Sequence, residues 1–516
     1  MKDTLSNRKL IINNSFSGVA QKIMTMLLVF LSIPIFISHL GVENYGLFTI
    51  VSVIGNLNVF AGFGLNTALI VSLTSSSDKE KSSVDIVTSL LMMIVLSSLI
   101  ALLLFIFKIP ILHLLLNLTE SQLNEASVLF NYLLVSNILL FAGQAFSAAL
   151  DSCQKIYFTN LIQFIYNVIY WLGLIIVVCF KGSLPEIGMM SLFASVVWFV
   201  IGYIITKNVF GRIYFSKDIK SYFESAQRQF KYGFSIYIST LTGFVFEPLS
   251  KLLLSKFFGL GAVSLFEIAL KIRSNINELL IKFLYPLVPY IASSEETESL
   301  FIKLKDLSRK IEYFSFQLSA FLVFLLPPLL SFWIPKEMFL EFPPETIYLF
   351  TVSLTVSLLL FSPGVYPIYV YLSTKNKASK TINIQMISVV VNLLLFFALY
   401  KYVGSETIVI SNSAGYFFSF ILCIWYQKKY WNDSITNVLK YMLYLTLSVF
   451  PILIVGSAIN VLVGNLILRI IIIAFLLPII SIFISKRMGL MSANDINRYL
   501  PYDSFLRTVL IKIFDK

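Results

Sequence analysis

Apolar residues in this chain are gathered into long blocks that short polar segments separate. A transmembrane helix needs about 20 predominantly apolar residues to cross the hydrocarbon core of a bilayer. The chain is 58% hydrophobic and only 13% charged, and the charged share is about half that of a soluble globular domain. Fourteen blocks reach the required length, at residues 14–38, 45–73, 86–107, 125–149, 157–180, 187–206, 232–255, 263–291, 311–334, 346–373, 381–400, 407–427, 441–462 and 466–485. The sequence therefore predicts an all-α, polytopic integral membrane protein with about 14 transmembrane helices.

The net charge of +12 is distributed unevenly between the two sides of the predicted membrane. An even number of spans puts both termini on one side, and the segments on that side hold 28 of the 39 Lys and Arg residues, against 6 on the other. The positive-inside rule then places both termini in the cytoplasm. Because membrane topology accounts for the basic charge, it indicates no nucleic-acid partner.

A short internal repeat divides the predicted bundle. HLGVENYGLFTI (residues 39–50) aligns with FFGLGAVSLFEI (residues 257–268), so that Gly41 matches Gly259. Both segments connect the first and second spans of a six-span block on the same side of the membrane, which is typical of parallel repeats. The predicted domains are an N-terminal six-helix lobe (1–210), a cytoplasmic linker (211–231), a C-terminal six-helix lobe (232–430), and two additional transmembrane helices with a cytoplasmic tail (431–516).

Charged residues inside the predicted span 263–291 form one helical stripe. The stripe is roughly 22 Å long at 1.5 Å per residue, and Ser274 and Asn275 fill its middle. Its charged members are Glu267, Lys271, Glu278 and Lys282. Because a charge at mid-membrane costs about 2.5 to 3.5 kcal/mol, we predict that the stripe faces water or a ligand. Arg273 points roughly 160° away from the stripe.

Other intramembrane charges lie on spans that pair with this one. Glu247 and Lys251 share a face of the preceding span, and Lys22 lies in the first span, the counterpart of span seven in the repeat. Two structural explanations stay open for these groups. Carboxylates and lysines four residues apart neutralise one another on a helix, and lysines near span ends extend to the aqueous surface.

Catalytic and metal-binding motifs are missing from the sequence. The three cysteines, Cys153, Cys179 and Cys423, are far apart and have no zinc-site spacing. No GxxxxGK[ST] phosphate-binding motif occurs. We therefore predict a transporter rather than an enzyme, with no cofactor apart from coupling to protons or sodium ions.

The segment IPIFISHLGVENYGLFTIVSVIG (residues 33–55) resembles the N-terminal region of Wzx-type polysaccharide-lipid (O-antigen) flippases, which belong to the MATE-like MOP superfamily. The resemblance extends to the span count, the cytoplasmic termini and the six-plus-six repeat. It implies a two-lobed bundle that works by alternating access in the bacterial inner membrane. The cargo would be an undecaprenyl-diphosphate-linked oligosaccharide, such as an O-antigen unit of lipopolysaccharide, and a polysaccharide polymerase and chain-length proteins are candidate partners.

The resemblance also implies roles for the intramembrane polar residues. In such flippases a cationic cavity receives the diphosphate and the sugars. The residues assigned here to that cavity are Lys22, Lys251, Lys271, Arg273, Lys282 and Asn275, and the carboxyls assigned to ion coupling are Glu247, Glu267 and Glu278. The version with fourteen spans is similar to lipid II flippases, in which the last two helices form a groove for the lipid tail.

Two other functions are compatible with parts of the pattern. A MATE-type exporter of organic cations would have the same fold, although the basic residues of spans seven and eight slightly outnumber the acidic ones and so favour an anionic cargo. A membrane polysaccharide polymerase or glycosyltransferase generally needs a sizeable outer loop or a carboxylate-rich site. The predicted outer loops are short, so this alternative is the weaker one.

Overall fold

The computed structural model describes residues 2–55, 64–75, 78–115, 118–211, 218–284, 287, 291, 294–375 and 377–487. Within these residues the regular secondary structure is entirely helical, which confirms the predicted all-α class. The cytoplasmic tail beyond residue 487, predicted as part of the last domain, lies outside the described residues.

Sixteen α-helices are named here in chain order, and all lie within the described part of the chain. The first eight are α1 (Lys2–Leu40), α2 (Val42–Gly55), α3 (Leu65–Ser75), α4 (Lys79–Leu115), α5 (Glu120–Ser152), α6 (Ile156–Cys179), α7 (Leu184–Phe210) and α8 (Ile219–Leu284). The others are α9 (Glu298–Trp333), α10 (Lys336–Glu341), α11 (Pro344–Phe361), α12 (Tyr366–Thr374), α13 (Ala378–Val403), α14 (Thr407–Trp431), α15 (Ile435–Leu462) and α16 (Leu466–Arg487).

Eleven helical segments of the described chain are long and apolar enough to cross a membrane. Three of these segments contain an internal break. Residues 344–374 are divided by the short 3₁₀ helix Pro363–Val365. Residues 247–281 are divided at Gly259, and residues 379–431 are divided by the short 3₁₀ helix Gly404–Glu406. The second predicted span, 45–73, runs through residues 56–63, which lie outside the description. The total of fourteen therefore stays a prediction.

The residues fall into two compact units by their internal contacts. One unit comprises Met1–Glu267 with Pro335–Glu341, and the other comprises Ile268–Ile334 with Phe342–Lys516. This partition follows contacts, whereas the predicted lobes follow the sequence repeat, and the predicted lobe boundaries stay a prediction.

Small residues allow close packing of α5 and α7 within the first unit. A Cβ placed on Gly143 of α5 would lie only 2.1 Å from the ring of Trp198 on α7. The missing side chain of Gly143 therefore lets the indole pack directly on the backbone of α5. Membrane helices use small residues in this way because close van der Waals contact, rather than hydrophobic transfer, holds them together.

Helix α9 packs against both terminal helices in the second unit. Its Gln317 amide donates to Ser448 of α15 at 2.8 Å and accepts from Ser481 of α16 at 3.1 Å. Two turns further on, Phe324 packs on Gly456 of α15. This combination of a polar bridge and close aromatic packing fixes α15 and α16 to α9.

Candidate functional site

The two glycines aligned by the sequence repeat both have a left-handed backbone. Gly41, between α1 and α2, has φ +82°, and Gly259, inside α8, has φ +84° and ψ 178°. Side chains rarely adopt such conformations, whereas glycine does so freely. At Gly259 the chain leaves one helix and starts another, so the residues before and after it, both part of α8, can meet side by side.

Lys251 and Glu267, on opposite sides of the Gly259 break, form a buried ion pair. Lys251 Nζ lies 2.5 Å from Glu267 Oε2, and the two residues are only 7% and 5% exposed. Glu267 also lies within electrostatic range of Tyr45 on α2. The two opposite charges neutralise each other. The ion pair therefore links the part of α8 before Gly259 to the part after it.

Helix α2 packs closely on α8 just after the break. A Cβ on Gly46 would lie 2.1 Å from the Leu260 carbonyl oxygen. The hydroxyl of Ser264 donates to the Val42 carbonyl oxygen at 2.5 Å. The second repeat segment is thus in direct contact with the first repeat segment, within one compact unit.

Further along α8 the predicted polar stripe is partly accessible. Lys271, Ser274, Asn275 and Glu278 are all half-buried. The residues that precede the first of them are buried, namely Ile268, Ala269 and Leu270. A half-buried lysine and amide on one face can bind an anion, and the neighbouring Glu278 carboxyl can bind a proton or a cation. The stripe residue Glu267, by contrast, is buried in its pair with Lys251.

Arg273 occupies a different face of α8, as its helical position predicted. It is 2% exposed, and its guanidinium carbon lies 5.7 Å from the ring centre of Tyr416 on α14. A guanidinium held over an aromatic face gains cation–π attraction that is larger in a desolvated place. The position makes Arg273 a buried source of positive potential behind the accessible face.

The remaining predicted site residues are Lys22, Glu247 and Lys282. Lys22 of α1 and Glu247 of α8 are both half-buried. The side chain of Lys282 lies outside the described side chains. Among the described residues, no group of three His, Cys, Asp or Glu side chains could hold a metal ion.

A buried network around Asp85 was missed by the sequence analysis. Asp85 of α4 is fully buried and accepts hydrogen bonds from Ser72 at 2.6 Å, Ser225 at 2.5 Å and Arg228 at 2.6 Å. Gln229 donates to its backbone carbonyl at 3.0 Å. Asp85 lies one residue before a predicted span and was placed in a loop, which is why its burial was not foreseen.

A second charge cluster, with a half-buried arginine and two buried carboxyls, lies in the first half of α9. Arg309 Nη2 lies 3.4 Å from Asp433 Oδ1, in the connection between α14 and α15, and the Tyr441 hydroxyl donates to the Arg309 carbonyl at 2.8 Å. Glu312, one turn after Arg309, is 5% exposed. The sequence analysis did not single out Glu312, although a carboxyl at the start of a predicted span, 311–334, was an available signal.

Solved structures share this fold at low sequence identity. The structure titled "Lipid II flippase MurJ, inward closed conformation" has a TM-score of 0.68 and 15% identity, over 92% of this chain and 99% of that chain. An inward-facing multidrug resistance MATE family transporter of the MOP superfamily has a TM-score of 0.58 and 13% identity, over 80% and 97%. An outward-facing structure of such a transporter has a TM-score of 0.56 and 16% identity, over 82% and 95%.

At the level of sequence, comparison with curated proteins found no match. The family described as "Polysaccharide biosynthesis protein" matches residues 11–295, which is more than half of the chain. The match covers the repeat glycines, the ion pair of α8 and the accessible polar face. The chain therefore belongs to the polysaccharide biosynthesis protein family and has the fold of MOP-superfamily transporters.

Proposed function

We propose that this protein is a flippase that moves an undecaprenyl-diphosphate-linked oligosaccharide across the bacterial inner membrane. The cargo is an O-antigen unit or another surface polysaccharide repeat unit. Two six-helix lobes give alternating access to it, and both chain termini are cytoplasmic. The family match supports a role in polysaccharide biosynthesis, and the transporter fold supports translocation rather than synthesis.

The observation that carries this proposal is the half-buried face of Lys271, Ser274 and Asn275, which follows the buried residues Ile268, Ala269 and Leu270 of α8. A diphosphate needs positive charge and hydrogen-bond donors, and Lys271 with Asn275 supplies both. Arg273, held under Tyr416, adds positive potential from the adjacent face. We assign the direct contact with the diphosphate to Lys271, because the guanidinium of Arg273 is buried.

The remaining predicted residues have supporting roles in this proposal. Lys22 and Lys282 are further candidate contacts for an anionic cargo, whereas the charge of Lys251 is neutralised by Glu267. We assign ion coupling to Glu247 and Glu278, which are half-buried, rather than to Glu267, which is buried in its ion pair with Lys251. The nearly uncharged helices α15 and α16 accommodate the polyprenyl tail, and a polysaccharide polymerase with its chain-length proteins uses the flipped product.

Cellular polysaccharide display tests the proposal. Replacing the chromosomal copy with Lys271→Ala should abolish or strongly reduce surface polysaccharide and cause lipid-linked repeat units to accumulate inside the cell. Lys271→Arg keeps the charge and should retain display, and membrane abundance of each variant is measured by immunoblot. Normal display by Lys271→Ala at normal abundance would contradict the assignment of Lys271.

A MATE-type exporter of organic cations is the second candidate, since solved structures of MATE family transporters share the fold. The two functions differ in the sign of the cargo. A cation exporter should lower cellular accumulation of a fluorescent organic cation, and Lys271→Ala should then preserve or improve export. The flippase proposal predicts that neither the native protein nor this variant changes cation accumulation.

A further inference from the structure

Glu312 is a deeply buried carboxyl that the proposed cavity does not use. It is 5% exposed. Its side chain lies against the chain at Gly364, where an added Cβ would be 2.1 Å from Cγ and 2.9 Å from Oε1 of Glu312. Only a glycine therefore leaves room for the carboxyl at this point.

Gly364 belongs to a break between two helices. Helix α11 ends at Phe361, the 3₁₀ helix Pro363–Val365 follows, and α12 begins at Tyr366. Pro363 has no N–H to donate to the Leu359 carbonyl four residues earlier, so regular helical bonding stops here. Breaks of this kind inside membrane helices bring backbone polar groups into a buried environment. The Glu312 carboxyl thus lies against a segment whose backbone can rearrange.

The charges that face Glu312 do not sum to zero. Arg309, from the same helix, and Asp433, from the connection between α14 and α15, both act on it electrostatically. Tyr441 of α15 is the third titratable group within range. Arg309 and Asp433 are 3.4 Å apart and neutralise each other. With Tyr441 neutral, an ionised Glu312 would leave one buried negative charge uncompensated, and one bound proton removes it.

We propose that Glu312 is a proton-binding site, at which a proton from water bonds to a carboxyl oxygen and is later released to water. Binding and release accompany rearrangement of the Pro363–Val365 break and of the Arg309–Asp433 pair. The site lies outside the α8 face that is assigned to the diphosphate. As a coupling site it rests on the proposed function, because a transporter is what a proton gradient would drive.

Infrared spectroscopy tests proton binding without any transport assay. The full-length protein in lipid nanodiscs is titrated from neutral to acidic pH, and the carbonyl band of protonated carboxylic acids is recorded. Part of this band should be lost in Glu312→Gln. Glu298→Gln is the matched control, because Glu298 is an exposed carboxyl at the start of the same helix. An unchanged difference spectrum in Glu312→Gln would overturn the proposal.

Two further measurements distinguish proton binding from a folding defect of the variant and from binding of a metal cation. Glu312→Asp keeps a carboxyl and should keep a protonated band at a shifted position, whereas its absence in a variant with native helical content would overturn the proposal. The band should titrate identically in NaCl and in KCl. Its loss on addition of Na⁺ would overturn the assignment of the proton as the occupant.

A transport measurement separates this proposal from the proposed function. In liposomes with an imposed proton gradient, wild-type protein should flip a fluorescent polyprenyl-diphosphate oligosaccharide faster than without the gradient. Glu312→Gln should flip at the gradient-free rate under both conditions, and a gradient response equal to that of wild type would overturn the coupling role. If wild type flips no lipid at all, the proposed function fails, whereas the infrared result still decides proton binding.

Discussion

Gly41 and Gly259, which are 218 residues apart, both have a left-handed φ, +82° and +84° respectively. Each ends one helix and begins the next in a corresponding place of the repeat. Glycine adopts such a φ readily, and Gly211 and Gly404 have one at other helix ends, so this φ is compatible with the repeat and typical of a glycine at a helix end.

Gly259→Ala should destabilise the protein by about 1–3 kcal/mol, because the φ +84°, ψ 178° region is essentially restricted to glycine. The free energy of unfolding is measured in mild detergent. Gly464→Ala is the control, since Gly464 has no atoms within 4 Å of an added Cβ and no left-handed φ. Equal stability of the two variants would contradict a strained break at Gly259.

The Lys251–Glu267 pair predicts a characteristic mutational pattern. Lys251→Ala or Glu267→Ala alone should cost about 3–5 kcal/mol, because each leaves an uncompensated buried charge. The double variant Lys251→Met with Glu267→Leu should recover most of that loss, since apolar side chains of similar volume replace a buried pair well. Unfolding free energies arranged in a double-mutant cycle measure the coupling. Strictly additive losses would show that the two charges do not interact.

The Asp85 network should be a stability determinant of the first unit. Asp85→Ala removes the acceptor of three side-chain hydrogen bonds. The hydroxyls of two buried serines, Ser72 and Ser225, then lose the carboxylate to which they donate. We expect a loss of about 3 kcal/mol or more in the free energy of unfolding. Lys220→Ala breaks only an exposed pair with Glu224 and should cost about 0–1 kcal/mol. Similar thermal midpoints for both variants would argue against the network.

Glu296 gives the second unit a dependence on pH. A hydrogen bond from Tyr371 is the main reason that the pKa of Glu296 lies below its ordinary value, and Lys377 lowers this pKa further although partial burial opposes both. The folded state therefore holds fewer protons than the unfolded state near the ordinary pKa. The lowered pKa of Glu296 therefore stabilises the folded state at pH values above the ordinary pKa. This stabilisation is lost as the pH falls through the lowered pKa.

Tyr371→Phe should flatten this acid-side loss of stability. The difference should stay below about 1 kcal/mol, because a carboxyl with 43% of its side chain exposed is screened by solvent. Unfolding free energies of wild type and Tyr371→Phe are compared from neutral to acidic pH. Parallel curves for the two proteins would contradict the role of the Tyr371 hydrogen bond.

The helical class and the break at Gly259 could be predicted because they depend on local patterns. The length of an apolar block predicts a transmembrane helix, and a glycine between two such blocks predicts a tight connection between the two helices. The position of Arg273 away from the stripe followed from 100° per residue and agrees with its burial against Tyr416.

Pairings across long sequence separations could not be predicted. Glu267 has a suitable neighbour four residues away in Lys271, yet the structure pairs it with Lys251, because the break at Gly259 folds α8 back on itself. Asp85 and Arg228 are 143 residues apart, and no local pattern connects them. A single sequence gives no information on such contacts.

The most direct measurement of the central claim is transbilayer movement of a fluorescent polyprenyl-diphosphate oligosaccharide in liposomes that contain the purified protein. We predict movement that exceeds that of protein-free liposomes, is retained by Lys271→Arg, and is slowed at least about tenfold by Lys271→Ala, as expected for the loss of one charged hydrogen bond. Movement no faster than in protein-free liposomes, or a Lys271→Ala rate equal to that of the native protein, would contradict the account.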